Sequence, residues 1–226
     1  MTSAADILEQ LHAKADPANL AGMAKFGIAI ENRLGLSVPE MRRIAKATGK
    51  DHQLALTLWK TGIAEGRIVA SLIAAPEALT ETCMETWVKD FDSWDVCDQV
   101  SMNLFEKTPF AGRKIIEWSA REEEFVKRAA FALIAALASH DKEAPDRTFV
   151  RLLPVIKRGA VDERNFVKKA VNWALRNIGK RNLRLNRAAI KTAKELQRLD
   201  STAARWIAAD AIRELEGAKV QQRLRR

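Results

Sequence analysis

The segment FVKRAAFALIA (residues 125–135) returns 41 residues later as FVKKAVNWALR (residues 166–176). In both segments apolar residues recur at three- and four-residue spacing, which is typical of the buried face of an α-helix. A third segment, RWIAADAIREL (residues 205–215), repeats the pattern 36 to 37 residues after Lys169. Helices that return about every 40 residues are the signature of HEAT or armadillo repeats. We therefore predict a helical-repeat solenoid.

The rest of the chain supports an all-α class. RIVASLIAA (residues 67–75) aligns with RAAFALIAA (residues 128–136), although alanine-rich helices can also resemble one another by chance. The chain has ten glycines, six prolines and no tyrosine, and strand-like alternation is nearly absent. Typical N-cap residues mark helix starts between the apolar runs; they are Ser37, Asp92 or Ser93, Asp162 and Ser201.

Charge is distributed unevenly along the chain. Residues 121–226 contain 25 Lys and Arg against 13 Asp and Glu, a net charge of +12, whereas residues 1–120 have a net charge of −3. Such asymmetry favours a polyanionic partner, the alternative being a protein that is merely basic. A membrane surface fits less well, because the basic residues spread over several helices.

The repeat predicts where these cations lie. Solenoids of this kind curve, and the second helix of each pair lines a concave face. Arg67, Arg128 and Lys169 occupy equivalent positions in three repeats, so we expect them to face one concave basic groove. A phosphate backbone would fit there.

Several further expectations concern the chain as a whole. We expect one α-solenoid domain over residues 1–226, with residues 218–226 as a frayed tail, and a monomer because no heptad seam is present. Cys83 and Cys97 lack zinc spacing and read as reduced thiols of a cytoplasmic protein. No apolar run approaches the roughly 18 residues of a membrane span. The absence of a phosphate loop or metal-ligand pattern predicts neither metal nor cofactor.

The motif SWDVCDQV (residues 93–100) is the strongest candidate for chemistry. Trp94 and Asp98 are four residues apart and therefore share a helix face. Asp95 near the helix start is explained by the helix dipole. Asp98 lacks that explanation, and a carboxylate beside an indole on a buried stripe is uncommon unless it is paired or functional.

Trp173 is the second candidate. It follows Lys168 and Lys169 and precedes Arg176 on one predicted helix. A tryptophan packed in the core and an indole at the edge of a basic groove, available to a sugar or base, are both compatible with this position. We interpret the remaining tryptophans as packing residues; they are Trp59, Trp87, Trp118 and Trp206.

Four segments together resemble the AlkD-like branch of the HEAT-like-repeat DNA alkylation repair proteins, along nearly the whole chain. They are GLSVPEMRRIAK (35–46), SWDVCDQV (93–100), FVKRAAFALIA (125–135) and FVKKAVNWALRNIGKRN (166–182). In that family, a W-D-x-x-D segment, an Arg in a helix and a Trp in a K-A-x-x-W-x-L-R helix surround the lesion. The matching positions here are Trp94 with Asp98, Arg128 and Trp173.

The resemblance implies a monofunctional glycosylase that removes N3- or N7-alkylated purines from duplex DNA without extruding the base. Asp98 would stabilise the sugar cation and orient a water, and Trp94 and Trp173 would lie against the deoxyribose. Arg128 would hold a flanking phosphate. The expected DNA contacts also include Lys127, Lys168, Lys169, Arg176, Arg67 and Phe26. Such an enzyme would work on the nucleoid in the cytoplasm.

One position departs from the family. The aromatic residue of the N-terminal helix, usually tyrosine, falls on Phe26, so a hydroxyl contact to the lesion would be lost. This leaves a non-catalytic DNA-binding protein on the same scaffold as the alternative. A protein-binding HEAT adaptor is a third possibility, and absence of DNA affinity would distinguish it.

Overall fold

The structure is a computed structural model that describes residues 2–225. Every regular element in this range is a helix and no strand is present, which confirms the all-α prediction. None of these helices is both long and apolar enough to cross a membrane. Two short 3-10 helices span Pro76–Ala78 and Phe105–Lys107. The α-helices are α1 (Ala4–Ala13), α2 (Pro17–Lys25), α3 (Val38–Thr48), α4 (His52–Trp59), α5 (Ala64–Ile73), α6 (Glu81–Lys89), α7 (Trp94–Asn103), α8 (Ala111–Ser119), α9 (Glu124–His140), α10 (Asp146–Gly159), α11 (Asn165–Gly179), α12 (Leu183–Leu196), α13 (Thr202–Leu215) and α14 (Ala218–Leu224).

The helices form two compact units, the first ending at Ala111 and the second beginning at Gly112. Each unit has its own core and is described by itself. The expectation of one continuous domain stays a prediction.

In the first unit α5 is the central helix, packed by α1, α3, α4 and α7. Its residues Ile68, Val69 and Ile73 are fully buried. Trp59 of α4 and Trp87 of α6 stack with ring centroids 3.9 Å apart, and both are buried, as predicted for packing residues.

In the second unit the helices form two layers. The first layer consists of α9, α11 and α13 side by side, and the second layer consists of α10 and α12. Alanine fills much of the first layer, so the helix axes can approach closely. Gly159 at the end of α10 shows how tight the packing is, since a Cβ there would lie 2.2 Å from the ring of Phe131.

Contacts between successive repeats recur at about the predicted repeat length. Phe125 and Phe166 stack with centroids 5.6 Å apart, 41 residues apart in the chain. The amide of Asn177 donates to the Ser139 hydroxyl at 2.8 Å, across 38 residues. Neighbouring helices therefore touch at intervals close to the repeat length, which confirms the repeat seen in the sequence.

Helix starts agree with the predicted caps except at Asp162. Ser37, Ser93 and Ser201 are the N-cap residues of α3, α7 and α13. The helix predicted to start at Asp162 begins instead at Asn165, with Arg164 as its N-cap. The Asp162 carboxylate accepts hydrogen bonds from the Arg164 side chain, and this pairing replaces a capping role.

The C-terminal segment differs from the expectation of a frayed end over residues 218–226. Ala218–Leu224 forms α14, and Val220 is buried. The Gln221 amide donates to the Leu215 carbonyl oxygen at 2.7 Å, which satisfies a carbonyl at the end of α13. The expectation was therefore wrong for these residues, while Arg226 lies outside the described range.

Candidate functional site

The start of α7 is the first candidate region. Trp94, the first residue of this helix, is half-buried, and Asp98, one turn later on the same face, is 8% exposed. The Trp94 indole Nε1 donates to the backbone carbonyl oxygen of Phe26 at 3.1 Å. The Phe26 side chain itself is 74% exposed. The first unit thus brings together three of the predicted site residues, with one aromatic ring presented to solvent.

A buried ion pair holds this corner together. The Arg33 guanidinium donates to both carboxylate oxygens of Asp95, at 2.8 and 2.9 Å, and its side chain is almost completely buried. The Ser93 hydroxyl donates to Asp95 and accepts from the backbone N–H of Ala29. Asp95 therefore does more than complement the helix dipole, because it ties the segment after α2 to the start of α7.

A second buried carboxylate supports the same segment. Glu65 of α5 is fully buried and accepts backbone N–H groups of Leu34, Gly35 and Leu36 at 3.0, 2.9 and 3.3 Å. Gly35 has φ +86°, and a Cβ there would lie 2.1 Å from the Asp16 carbonyl oxygen. The loop leading away from Phe26 is therefore fixed by hydrogen bonds that a buried acid requires.

Arg33 and Glu65 were not predicted from the sequence. A usable signal existed for Glu65, which lies in the apolar pattern AEGRIVASLI of α5 without a basic residue three or four positions before it. Arg33 carried no comparable signal, because its partner Asp95 is 62 residues away.

Arg67, expected in the groove, is engaged by its own unit. Its guanidinium donates to the Asp90 carbonyl oxygen at 2.8 Å and lies 5.3 Å from the centre of the Trp59 ring. The carboxylates of Asp90 and Asp92 are 4.0 and 3.9 Å away. These contacts stabilise the positive charge of Arg67 within its own unit. Its role in DNA binding stays a prediction.

In the second unit, the two basic residues of α9 also have partners. Arg128 is 5% exposed and donates to the Phe166 carbonyl oxygen at 2.6 Å. Lys127 donates to Asp162 at 3.3 Å. Burial alone would raise the pKa of Asp162, but hydrogen bonds from Arg164 and Lys127 outweigh it and hold that pKa below its ordinary value. Both α9 cations therefore help to join repeats.

On α11 and at its C-cap, Lys169, Trp173, Arg176 and Lys180 follow one another at four-, three- and four-residue spacing, so they share a face. Lys169 is exposed and makes no ion pair within residues 2–225, and Trp173 is half-buried. Arg176 and Lys180 both pair with Glu214 of α13. This face therefore presents Lys169, which has no ion pair among the described residues, and the indole of Trp173. Beside them lie Arg176 and Lys180, which are paired with Glu214.

Trp206 corrects the interpretation of all four remaining tryptophans as packing residues. It is 41% exposed on α13, and the Lys168 ammonium lies 5.2 Å from its ring centre. The buried stripe of α13 runs through Ala204, Ile207 and Ala211, and position 206 falls outside it. Placing the residues on a helical wheel would have shown this from the sequence.

The predicted catalytic residues are therefore divided between the units. Trp94 and Asp98 lie in the first, and Trp173 lies in the second together with the α9 and α11 cations. Within each unit these residues sit on the helices and faces that the motif spacing predicted.

Fold and composition define the class of protein: an all-α chain of stacked helical repeats with a basic C-terminal half. The sequence matches the family model described as "DNA alkylation repair enzyme" over residues 7–215. This chain belongs to that family. No curated protein sequence matches it.

Among solved structures, one with a TM-score of 0.78 is described as "a new family of proteins related to the HEAT-like repeat DNA glycosylases with affinity for branched DNA structures". It is 20% identical, and the match covers 94% of this chain and 95% of that one. A designed armadillo repeat protein also matches, at 16% identity and a TM-score of 0.43, over 92% of this chain and 98% of that one. The first similarity shows that this chain has the HEAT-like repeat fold.

Proposed function

We propose that this protein is a DNA glycosylase that excises N3- or N7-alkylated purines from duplex DNA. The observation that carries the proposal is the almost buried Asp98 carboxylate, one helical turn from the half-exposed Trp94, in a member of the DNA alkylation repair family. The network around Arg33 and Glu65 fixes the segment that contacts Trp94. A preorganised carboxylate of this kind suits a reaction in which positive charge develops.

The substrate determines what the residues must do. An alkylated purine is already cationic, so it leaves without being protonated, and positive charge grows on the deoxyribose as the glycosidic bond breaks. Asp98 would stabilise that charge and orient the attacking water. One such fixed group contributes on the order of 3 kcal/mol, which is about a hundredfold in rate.

The aromatic residues would provide contacts to the deoxyribose. The π faces of Trp94 and Trp173 attract a developing cation, and neither residue is fully buried. The exposed ring of Phe26 would contact the lesion by stacking, since it has no hydroxyl to donate. This arrangement does not require the base to leave the helix stack.

The backbone contacts would come from the first layer of the second unit. Arg128, oriented by the Phe166 carbonyl, would hold a flanking phosphate, while Lys169 is the most accessible of the predicted cations. The remaining proposed contacts are Lys127, Lys168, Arg176 and Arg67. The concave basic groove that would gather them stays a prediction.

Base release from methylated duplex DNA tests the proposal. Wild type should release free methylated purine, and Asp98→Asn should release it about a hundredfold more slowly while binding the duplex as well. Asp92→Asn is the matched control, because Asp92 is exposed and lies just before the same helix. Wild type that binds methylated duplex but releases no base would exclude excision of these lesions.

A second candidate is recognition of DNA structure without excision. The affinity of the structural neighbour for branched DNA and the phenylalanine at position 26 favour it. It predicts salt-dependent binding without preference for alkylated DNA, and no change when Asp98 is replaced by alanine.

We place this activity on the nucleoid, in the cytoplasm. Cys83 and Cys97 are not joined in a disulfide, which is compatible with a reducing compartment. The proposed monomer needs no partner subunit to complete the chemistry described.

A further inference from the structure

The second layer of the second unit carries a row of cations that the proposed active site does not use. Its members are the exposed lysines and arginines of α10, α12 and the turn after α12, apart from Lys157, which pairs with Glu195. We call this set the second-layer stripe; it consists of Arg147, Arg151, Arg158, Arg184, Arg187, Lys191, Lys194 and Arg198. On α12 the residues recur at alternating three- and four-residue spacing, which places them along one face.

The stripe faces away from the first layer. The opposite side of α12, including Leu185, Ala189 and Ala193, is buried where this helix packs on α11 and α13. Phe149 and Ile156 of α10 are buried in the same way. The second unit therefore has two separate basic faces, because the stripe and the face that contains Lys169 belong to different layers.

Few acids neutralise the stripe. Arg184 lies 4.0 Å from Asp146, and Lys194 lies 3.3 Å from Glu216. Glu195, the acid within the stripe, forms its ion pair with Lys157, and this hydrogen bond, with smaller contributions from the charges of Lys191 and Arg198, lowers the Glu195 pKa. The other six members of the stripe make no ion pair within residues 2–225; they are Arg147, Arg151, Arg158, Arg187, Lys191 and Arg198.

Such an arrangement weakens the folded chain. Like charges three or four positions apart on a helix repel each other and destabilise it, and Arg187, Lys191 and Lys194 form consecutive pairs of this kind. A bound polyanion would remove that repulsion. The stripe is thus better explained by a ligand than by folding.

Dimensions and chemistry favour the phosphate backbone of a duplex. From Arg184 to Lys194 the helix rises about 15 Å, which matches four to five base pairs. Single strands are held by exposed aromatic side chains, and the described residues of α10 and α12 expose none. An anionic lipid surface would call for a broad apolar face beside the cations, but most of the apolar side of α12 is buried against α11 and α13.

We propose that the second-layer stripe is a second duplex-binding surface, so that one molecule holds two DNA segments at once. One segment occupies the first-layer face and the other lies along α10 and α12. Because the two faces belong to opposite layers, a single short straight duplex cannot occupy both. This inference requires DNA binding by the first-layer face and does not depend on base excision.

The number of duplexes bound per chain tests the proposal. An undamaged duplex of about 12 base pairs, roughly 40 Å long, covers the stripe but is too short to wrap around the unit. Sedimentation analysis at about 50 mM salt should show two duplexes per wild-type chain. The combined variant Arg187→Glu, Lys191→Glu, Arg198→Glu should bind one duplex, and the salt-dependent binding of the second duplex should be lost.

A matched variant controls for net charge. Arg42→Glu, Lys46→Glu, Lys60→Glu changes the charge by the same amount at exposed positions of the first unit and should still bind two duplexes. One duplex per wild-type chain, or two in the stripe variant, would overturn the proposal. Base release is measured in parallel: if the stripe variant binds one duplex but wild type releases no base, only the proposed enzymatic function fails.

Discussion

The two layers of the second unit use their cations in different ways. In the first layer Lys127, Arg176 and Lys180 each pair with an acid of a neighbouring repeat, and Arg128 donates to a carbonyl oxygen. In the second layer most cations of the stripe form no ion pair within the described residues. The cations of the second unit therefore fall into two groups. Those of the first group join neighbouring repeats, and those of the second group remain available to a polyanion.

Replacing one arginine in each layer should show the largest difference in the free energy of unfolding. Arg128→Ala removes an almost buried side chain and its hydrogen bond to Phe166, so the free energy of unfolding should fall by about 2–3 kcal/mol. Arg187→Ala removes an exposed side chain and should change it by less than about 0.5 kcal/mol. Urea unfolding followed by circular dichroism measures both, and equal losses would remove the distinction between the layers.

Acid should weaken the first layer selectively. Burial alone would raise the pKa of Glu214, but hydrogen bonds from Lys180 and Arg176 lower it below its ordinary value of 4.5. A carboxylate with a depressed folded pKa stabilises the protein above its unfolded pKa, and this stability is lost as the pH falls through the folded value. The melting temperature should therefore drop below about pH 4.5, and less steeply in Glu214→Gln. Identical pH profiles would contradict this role.

Two lysines of the first layer allow a paired and an unpaired cation to be compared in DNA binding. Lys169 is exposed without an ion pair within the described chain, whereas Lys127 already neutralises Asp162. Lys169→Ala should reduce the salt slope of duplex binding by about 0.9, the value expected for one phosphate contact. Lys127→Ala should reduce it by clearly less. The opposite order, measured by fluorescence anisotropy, would show that ion pairing does not decide which cations meet DNA.

Trp206 should give a much smaller change in stability than a buried tryptophan. Its ring is partly exposed and contacts Lys168, so Trp206→Ala should lower the free energy of unfolding by about 0.5–1 kcal/mol. A buried tryptophan truncated to alanine costs about 3–5 kcal/mol. A loss in that higher range for Trp206→Ala would restore the interpretation of this residue as part of the core.

The architecture could be predicted because it depends on local patterns. Apolar spacing and the return of Phe125 as Phe166 identified helices and their repeat, and each is visible within a window of about 40 residues. The position of Trp94 and Asp98 on one helix face followed from their spacing alone.

The charge pairing could not be predicted in the same way. Arg33 and Asp95 meet across 62 residues, and Arg176 and Glu214 meet across 38, so each pair depends on the register between elements. The tail was misjudged for a related reason, since the Gln221 amide also donates to the side chain of Asn186, 35 residues away in the chain. The composition gives the number of cations, but it does not show which of them form ion pairs in the folded protein.

Single-turnover release of methylated purine, with bound duplex measured in the same samples, tests the central claim most directly. Wild type and Asp92→Asn should release base at the same rate, and Asp98→Asn should bind equally well but release base about a hundredfold more slowly. Equal release by wild type and Asp98→Asn, with equal binding, would contradict the assignment of Asp98 to catalysis.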